Sequence, residues 1–282
     1  MRAVAWLAGG LRRAFAAWDL YRRLITVQIR AQLEYRLSFA MNLIATALAT
    51  AGGFATIALI LQRFEGIGGW ALGEIAFLYG MMDAAFGTAE ILFAGFDPDR
   101  FAVRVQRGQL DQLLLRPASV TLQVLGSEFV LRRLSRIAQG GGILAIAFRL
   151  TPIHWTPVKV IYLPLVFCSV VLFFGALYVI GSTSTFWTVQ RVEIINIFTY
   201  GGSEMMSYPM HIYSRWMQRF FTYILPAIFM NYYPALFFLD KPDPLGMPAF
   251  APFLAPLVGC GLLLVSLAFW RFGLRHYTGT GT

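Results

Sequence analysis

The chain has 282 residues, of which 58% are hydrophobic and only 13% charged, with a mean hydropathy of +0.63. Soluble domains carry about 25% charged residues, so there is too little charge here for a water-facing shell, and a soluble fold is excluded. The 23 basic and 14 acidic residues leave a formal charge of +9, and the placement of the basic residues decides between a nucleic-acid surface and a membrane.

The first 36 residues hold seven arginines. Over residues 18–36 a helical wheel puts Asp19, Arg22, Arg23, Thr26, Arg30 and Glu34 in one arc and Leu20, Tyr21, Leu24, Ile25, Ala31 and Tyr35 in the other. That pattern predicts an amphipathic helix in the cytoplasmic interface, with its arginines among anionic headgroups. The apolar stretch after Met1 is short and runs into arginines rather than a cleavage site, so no cleavable signal peptide is expected.

Crossing the hydrocarbon core takes about 20 apolar residues. Residues 37–61 are free of charge and form the first expected span. Residues 71–96 form a second, interrupted by Glu74, Asp83 and Glu90. The loop 97–133 then reads as structured: Asp97-Pro98-Asp99 suits a helix start, a short helix over 98–106 meets the terminator Gly108, and another ends before Pro117. A longer helix is expected to run on toward the third span, with Glu128 and Arg132 paired at i, i+4. That third span, 134–153, carries Arg136 and Arg149 near its ends, where they can reach the interfaces. Residues 160–190 are uncharged and supply a fourth, 160–187.

The stretch 192–239 is too long for one crossing and too short for two. Gly201, Gly202, Pro209, Pro226 and Pro234 break it, and such breaks survive at membrane depth only where protein or water satisfies the freed backbone. One arrangement crosses at 192–207 and re-enters the outer leaflet over 210–240; the other lays 192–214 on the cytoplasmic face and crosses at 220–239. A last span falls at 249–271. With six crossings and both termini cytoplasmic, 17 of the 23 basic residues lie inside, as the positive-inside rule requires. The basic charge is then a label of sidedness, and nucleic acid is excluded as a partner. The expected fold is an all-α integral membrane protein, with the N-terminal segment 1–36 and a single transmembrane domain over 37–282.

Catalytic constellations are missing. His154, His211 and His276 stand at no metal-ligand spacing, Cys168 and Cys260 read as two buried apolar thiols, and nothing supports an intramembrane hydrolase. The only lysines, Lys159 and Lys241, follow no glycine, so there is no phosphate-binding loop; any ATP would be hydrolysed by another chain. The remaining candidates are polar groups in the spans: Asn42, Asp83, Glu90, Glu193, Asn196 and Glu204. Asp83 and Glu90 are seven residues apart, hence on one helix face, and intramembrane carboxylates are functional candidates by default. They fit either a substrate or proton pathway or helix packing, and Asn42, Asn196 and Gly140-Gly141-Gly142 fit interhelical contact as well. A proton-coupled secondary transporter or channel using Asp83 and Glu90 is the alternative, weakened by the lack of an internal repeat.

The run Arg107-Gly108-Gln109-Leu110-Asp111-Gln112-Leu113-Leu114-Leu115-Arg116-Pro117, the later Tyr208-Pro209-Met210-His211-Ile212-Tyr213, and the pairs Pro226-Ala227 and Tyr233-Pro234-Ala235 resemble the permease subunit of bacterial ABC-2 type exporters. The resemblance extends from about residue 18 to near the end of the chain. It implies a cytoplasmic-membrane permease acting as a dimer, identical or with a sister subunit, on two cytoplasmic ATPase subunits that use ATP and Mg, with no cofactor or metal on this chain. It further implies that Phe101, Arg104, Arg107, Gly108, Leu110, Asp111, Leu114, Arg116 and Pro117 belong to a coupling helix that fits a groove on the ATPase. The N-terminal helix would be the connecting helix at the interface, and the broken segment would cap an outward pathway.

Overall fold

A computed structural model describes residues 2–34, 36–64, 66–188 and 193–278, and the described residues are helical with no strand beyond an isolated bridge between Ile67 and Trp70. Helix α1 (Arg2–Glu34) is followed by α2 (Arg36–Phe64) and α3 (Leu72–Leu92). Three short helices come next, α4 (Pro98–Gln106), α5 (Gln109–Leu114) and α6 (Val120–Leu125), then the long α7 (Leu134–Leu150) and α8 (Pro157–Thr188). Helices α9 (Glu193–Asn196) and α10 (Gly202–Met206) are joined by a π-helical turn, Ile197–Gly201, and right-handed helical torsions at Asn196, Gly201 and Gly202 make them one continuous stretch. Short α11 (Arg215–Arg219) and α12 (Tyr232–Phe238) precede α13 (Ala255–His276).

Among the described residues α3, α8 and α13 are long and apolar enough to cross a membrane. The pair Arg215–Ile224 and Ala227–Phe238, bent by 82°, adds a fourth if it counts as one broken span. Helix α2 contributes a described apolar stretch, Phe39–Ala49. Helix α7, at 17 residues, is about 25 Å long, and the 193–206 stretch about 21 Å, against a core of about 30 Å. The described helices thus supply three or four full spans where six are expected.

Helices in lipid gain no hydrophobic free energy from meeting each other, so they associate by close packing of small residues. Helix α3 carries glycine at every seventh position, Gly73, Gly80 and Gly87, all toward α7. A Cβ on Gly80 would lie 2.6 Å from the Leu144 nitrogen and 2.8 Å from the Gly140 oxygen, and one on Gly140 would overlap the backbone of Ala84. Gly73 meets Leu150 and Gly87 meets Ile137, so the two helices are antiparallel. Helix α13 repeats the device with the buried series Gly259, Ser266 and Gly273. Here Gly259 faces Ser169 and Gly273 faces Thr183 of α8, so α8 and α13 run parallel.

That parallel pairing forces the chain between them to return along the whole bundle. Asn196 donates to Asp99 Oδ2 (3.3 Å) beside the start of α4, whereas the Asn231 amide donates to both Met206 O (2.9 Å) and Leu78 O (3.0 Å). The 193–206 stretch therefore climbs from the α4 end to within two turns of the start of α3. The proline-marked chain beyond it covers that far end. His211 bridges Gly68 O (2.7 Å) and Tyr232 Oη (3.1 Å), Lys241 pairs with Glu74 (2.7 Å), and Lys159 pairs with Asp240 (2.7 Å). Gly68, at φ +59°, leaves no room for a side chain beside His211.

Four expectations are corrected. Helix α1 begins at Arg2 rather than near residue 18. The helix expected to run through to the third span stops at Leu125, because α1 claims the backbone beyond it: Gln28 donates to Ser127 O (2.8 Å), and Gln32 binds Phe129 O and Leu131 N. Glu128 consequently pairs with Arg100 (2.7 Å) and Arg104 (2.9 Å), not Arg132. Cys168 and Cys260 are exposed on α8 and α13 rather than buried, since an apolar thiol suits a lipid-facing surface as well as a core.

The glycine contacts have a direct test. Gly80→Leu forces two backbones apart and is expected to destabilise the protein by about 1–3 kcal/mol. Gly141→Ala, whose Cβ meets nothing within 4 Å, is expected to be neutral or stabilising by up to about 1 kcal/mol. Thermal unfolding in detergent, followed by size-exclusion chromatography, distinguishes the two.

Candidate functional site

Two constellations stand out, at different depths. The first is the loop between α3 and α7. Asp97 caps α4 by accepting from Asp99 N (3.1 Å) and Arg100 N (3.3 Å), with Pro98 in the first turn. Gly108, at φ +64°, lets the chain turn from α4 into α5. Phe101 and Leu110 are fully buried in a cluster with Phe96, Val105, Val124, Tyr178, Val179 and Trp270. The Trp270 ring stands edge-on to Phe96 (5.0 Å) and Phe101 (5.4 Å), and its indole N–H donates to Thr121 Oγ1 (3.0 Å). Ser182 Oγ donates to Phe96 O (2.5 Å), and the missing side chain of Gly181 admits Pro98. The buried Gln123 closes the loop on itself by donating to Leu113 O (3.1 Å) and Ala118 O (3.0 Å).

The loop is thus welded to the ends of α8 and α13 and pinned by α1, so its backbone has little independent freedom. Of the coupling candidates, Phe101 and Leu110 position the loop and do not face outward. Arg104 belongs to the internal pair with Glu128 and also donates to Ser127 Oγ (2.5 Å); burial pushes its guanidinium pKa down, opposed by the Glu128 charge. Gly108 and Asp111 are half-buried, while Arg107, Leu114, Arg116 and Pro117 are exposed. The most exposed apolar side chain of the loop is Leu115, at 86%. Sequence reasoning singled out neither Leu115 nor Trp270 as site residues. A run of three leucines ending at Arg116-Pro117 in a polar loop could have flagged the first, but nothing local marks Trp270.

The second constellation runs from the middle of α3, at Asp83, to its last turn, at Glu90. Arg136, expected to reach an interface, is instead half-buried and ion-paired with Asp83, which is 2% exposed. Arg133 reaches Glu90 (2.8 Å), Arg136 reaches Glu90 (3.5 Å), and Arg136 stacks over the Phe86 ring (4.6 Å). Glu204, on the 193–206 stretch, stands 3.9 Å from Arg136. Three of the six polar pathway candidates, Asp83, Glu90 and Glu204, are therefore brought together around two arginines. The other three are not. Asn196 sits with Asp99, and Asn42 lines a polar cavity of about 340 Å³ with Gln28, Gln32, Arg100, Glu128 and Arg132. Glu193 opens α9, and its side chain lies outside the described residues. Among the described residues no group of His, Cys, Asp and Glu has metal-binding geometry.

Breaking a buried ion pair from one side leaves an uncompensated charge, at about 3–5 kcal/mol. Arg136→Met is expected to unfold at markedly lower temperature than wild type, while the double variant Asp83→Asn/Arg136→Gln recovers part of the loss. Equal destabilisation by the single and double variants in thermal unfolding would contradict the pairing.

A family model described as ABC-2 family transporter protein matches residues 47–281. No curated protein and no solved structure matches the chain.

Proposed function

This chain belongs to the ABC-2 transporter family, and on that premise we propose that it is an exporter permease, working as a dimer with an identical or sister permease on two cytoplasmic ATPase subunits. As a permease of an ABC transporter it is a multi-pass membrane protein, and the family is typically non-catalytic. ATP and Mg are then used by the partner, and this chain binds no cofactor of its own. Its setting is the bacterial cytoplasmic membrane with both termini inside, in contact with anionic lipid along α1. The six pathway candidates, Asn42, Asp83, Glu90, Glu193, Asn196 and Glu204, divide in this reading: Asp83 and Glu90 hold helices together, and Glu204 faces outward from them.

The observation that carries the proposal is the α4–α6 block. It offers an exposed tip of Arg107, Leu114, Leu115, Arg116 and Pro117, while the aromatic cluster behind the tip ties it to α8 and α13. A docking surface must be exposed, and a coupling element must be stiff; this loop is both. The ion pairing of Asp83 and Glu90 disfavours the proton-coupled alternative, because groups matched to fixed arginines are poor proton carriers.

A buried apolar anchor in a protein interface contributes about 2 kcal/mol or more. Leu115→Asp and Arg107→Glu are accordingly expected to lower ATPase retention on the purified permease tenfold or more, with membrane insertion and thermal stability unchanged. Unaltered ATPase retention and unaltered ATP-driven transport would remove the docking assignment.

A further inference from the structure

The 193–206 stretch turns Ile197, Gly201 and Glu204 outward at spacing i, i+4, i+7, one face of a helix. Glu204 meets Arg136, which is paired with Asp83, and Asp83 lies halfway along α3. The depth of Glu204 in the bundle is thus fixed near the middle of a membrane-spanning helix, yet its side chain is 64% exposed. A carboxylate at the bilayer centre costs at least about 2.5–3.5 kcal/mol against acyl chains, so this face does not look onto lipid. Within the cluster Arg133 and Arg136 are matched by the buried Asp83 and Glu90. Glu204 is the carboxylate in excess, and at 3.9 Å its contact with Arg136 is at the outer limit of an ion pair.

The surroundings of Glu204 suit a particular ligand. Tyr213, on the segment that closes the far end of the bundle, donates its phenol to Met205 O (3.1 Å), the residue next to Glu204. Beside it the helix is stripped to backbone at the exposed Gly201, where a Cβ would meet only Ile197 at 3.9 Å. An exposed carboxylate in excess over its arginines, held away from bulk water by the surrounding bundle, attracts an organic cation more strongly than it would in solution. We infer that the face of Ile197, Gly201 and Glu204 lines the transport pathway and that Glu204 is a subsite for the cationic group of an amphiphilic substrate. The inference rests on the reading of the chain as a permease and adds the charge class of what it carries.

The test uses two probes of the same shape and opposite charge, tetraphenylphosphonium and tetraphenylborate, binding to the full-length chain in nanodiscs of neutral lipid. Wild type is expected to bind the cation, Glu204→Gln to bind it about tenfold or more weakly, and Glu204→Asp to keep most of the affinity, with tetraphenylborate indifferent to all three. No cation binding by wild type, or undiminished binding by Glu204→Gln, overturns the inference. Because binding is read on the permease alone, a failure to find an ATPase partner would sink the proposed coupling and leave this result standing.

A second variant guards against a Glu204→Gln that fails to fold. In a Cys168→Ala/Cys260→Ala background, Gly201→Cys is expected to react with water-soluble methanethiosulfonates, the cationic reagent about tenfold faster than the anionic one, as electrostatic focusing in a cleft predicts. No labelling, equal rates, or a spontaneous disulfide between two copies, which would make this a dimer seam, overturns it.

Discussion

The edge-on contact of Trp270 with Phe96 and Phe101 is the joint on which the rest of the molecule depends. Trp270 belongs to α13, Phe101 to α4, and Phe96 leads from α3 into the loop, so three parts of the chain far apart in sequence are fixed at one point. Aromatic pairs of this geometry contribute about 0.5–1.5 kcal/mol each beyond their buried area. The indole N–H, satisfied by Thr121, sets the rotation of α13 against α6. With α8 and α13 locked in parallel by Gly259 and Gly273, the joint makes two membrane helices and one surface loop a single body. In the proposed transport cycle this body carries motion from the ATPase face toward the far end of the bundle.

The membrane explains where charge is permitted. At the far end, the only two lysines are each held by a carboxylate, Asp240 and Glu74, and so act as clasps on the segment that closes the bundle. From the middle of α3 to its last turn, Asp83 and Glu90 are admitted because Arg133, at the N-cap of α7, and Arg136, in its first turn, come with them. Neither arginine is free to snorkel, since both are committed to buried carboxylates. Among the described residues Glu204 breaks the pattern. A charge that is both deep and exposed has to be satisfied by something other than lipid, which is why it points to water and to what moves through it.

Much of the loop was legible from local signals. Asp97-Pro98, Gly108 and Pro117 act within a few residues of themselves, and they start, turn and end α4 and α5 as expected. What the sequence hid was pairing across distance. Glu128 had a partner at i+4 on paper, but α1 competes for the backbone there through Gln28 and Gln32, and the helix that would have presented that partner does not form. Apolar runs also say nothing about facing: Cys168 and Cys260 could equally lie against protein or lipid, because both surroundings are apolar. The glycines of α3 and of the run at 140–142 are equally visible in the sequence, but it does not show which meet a partner: Gly73, Gly80 and Gly87 all do, and of the run only Gly140 makes a tight contact.

The loop tip and the α8–α13 pair are expected to move as one. Spin labels at the exposed positions Gln112 and Leu257, read by double electron–electron resonance in the complex with its ATPase, measure the length of that body. The distance is expected to keep its mean and width when ATP is added, while the distance between the Gln112 labels of two copies changes. A shift of the Gln112–Leu257 distance on ATP addition, with the distance between copies constant, would contradict the account.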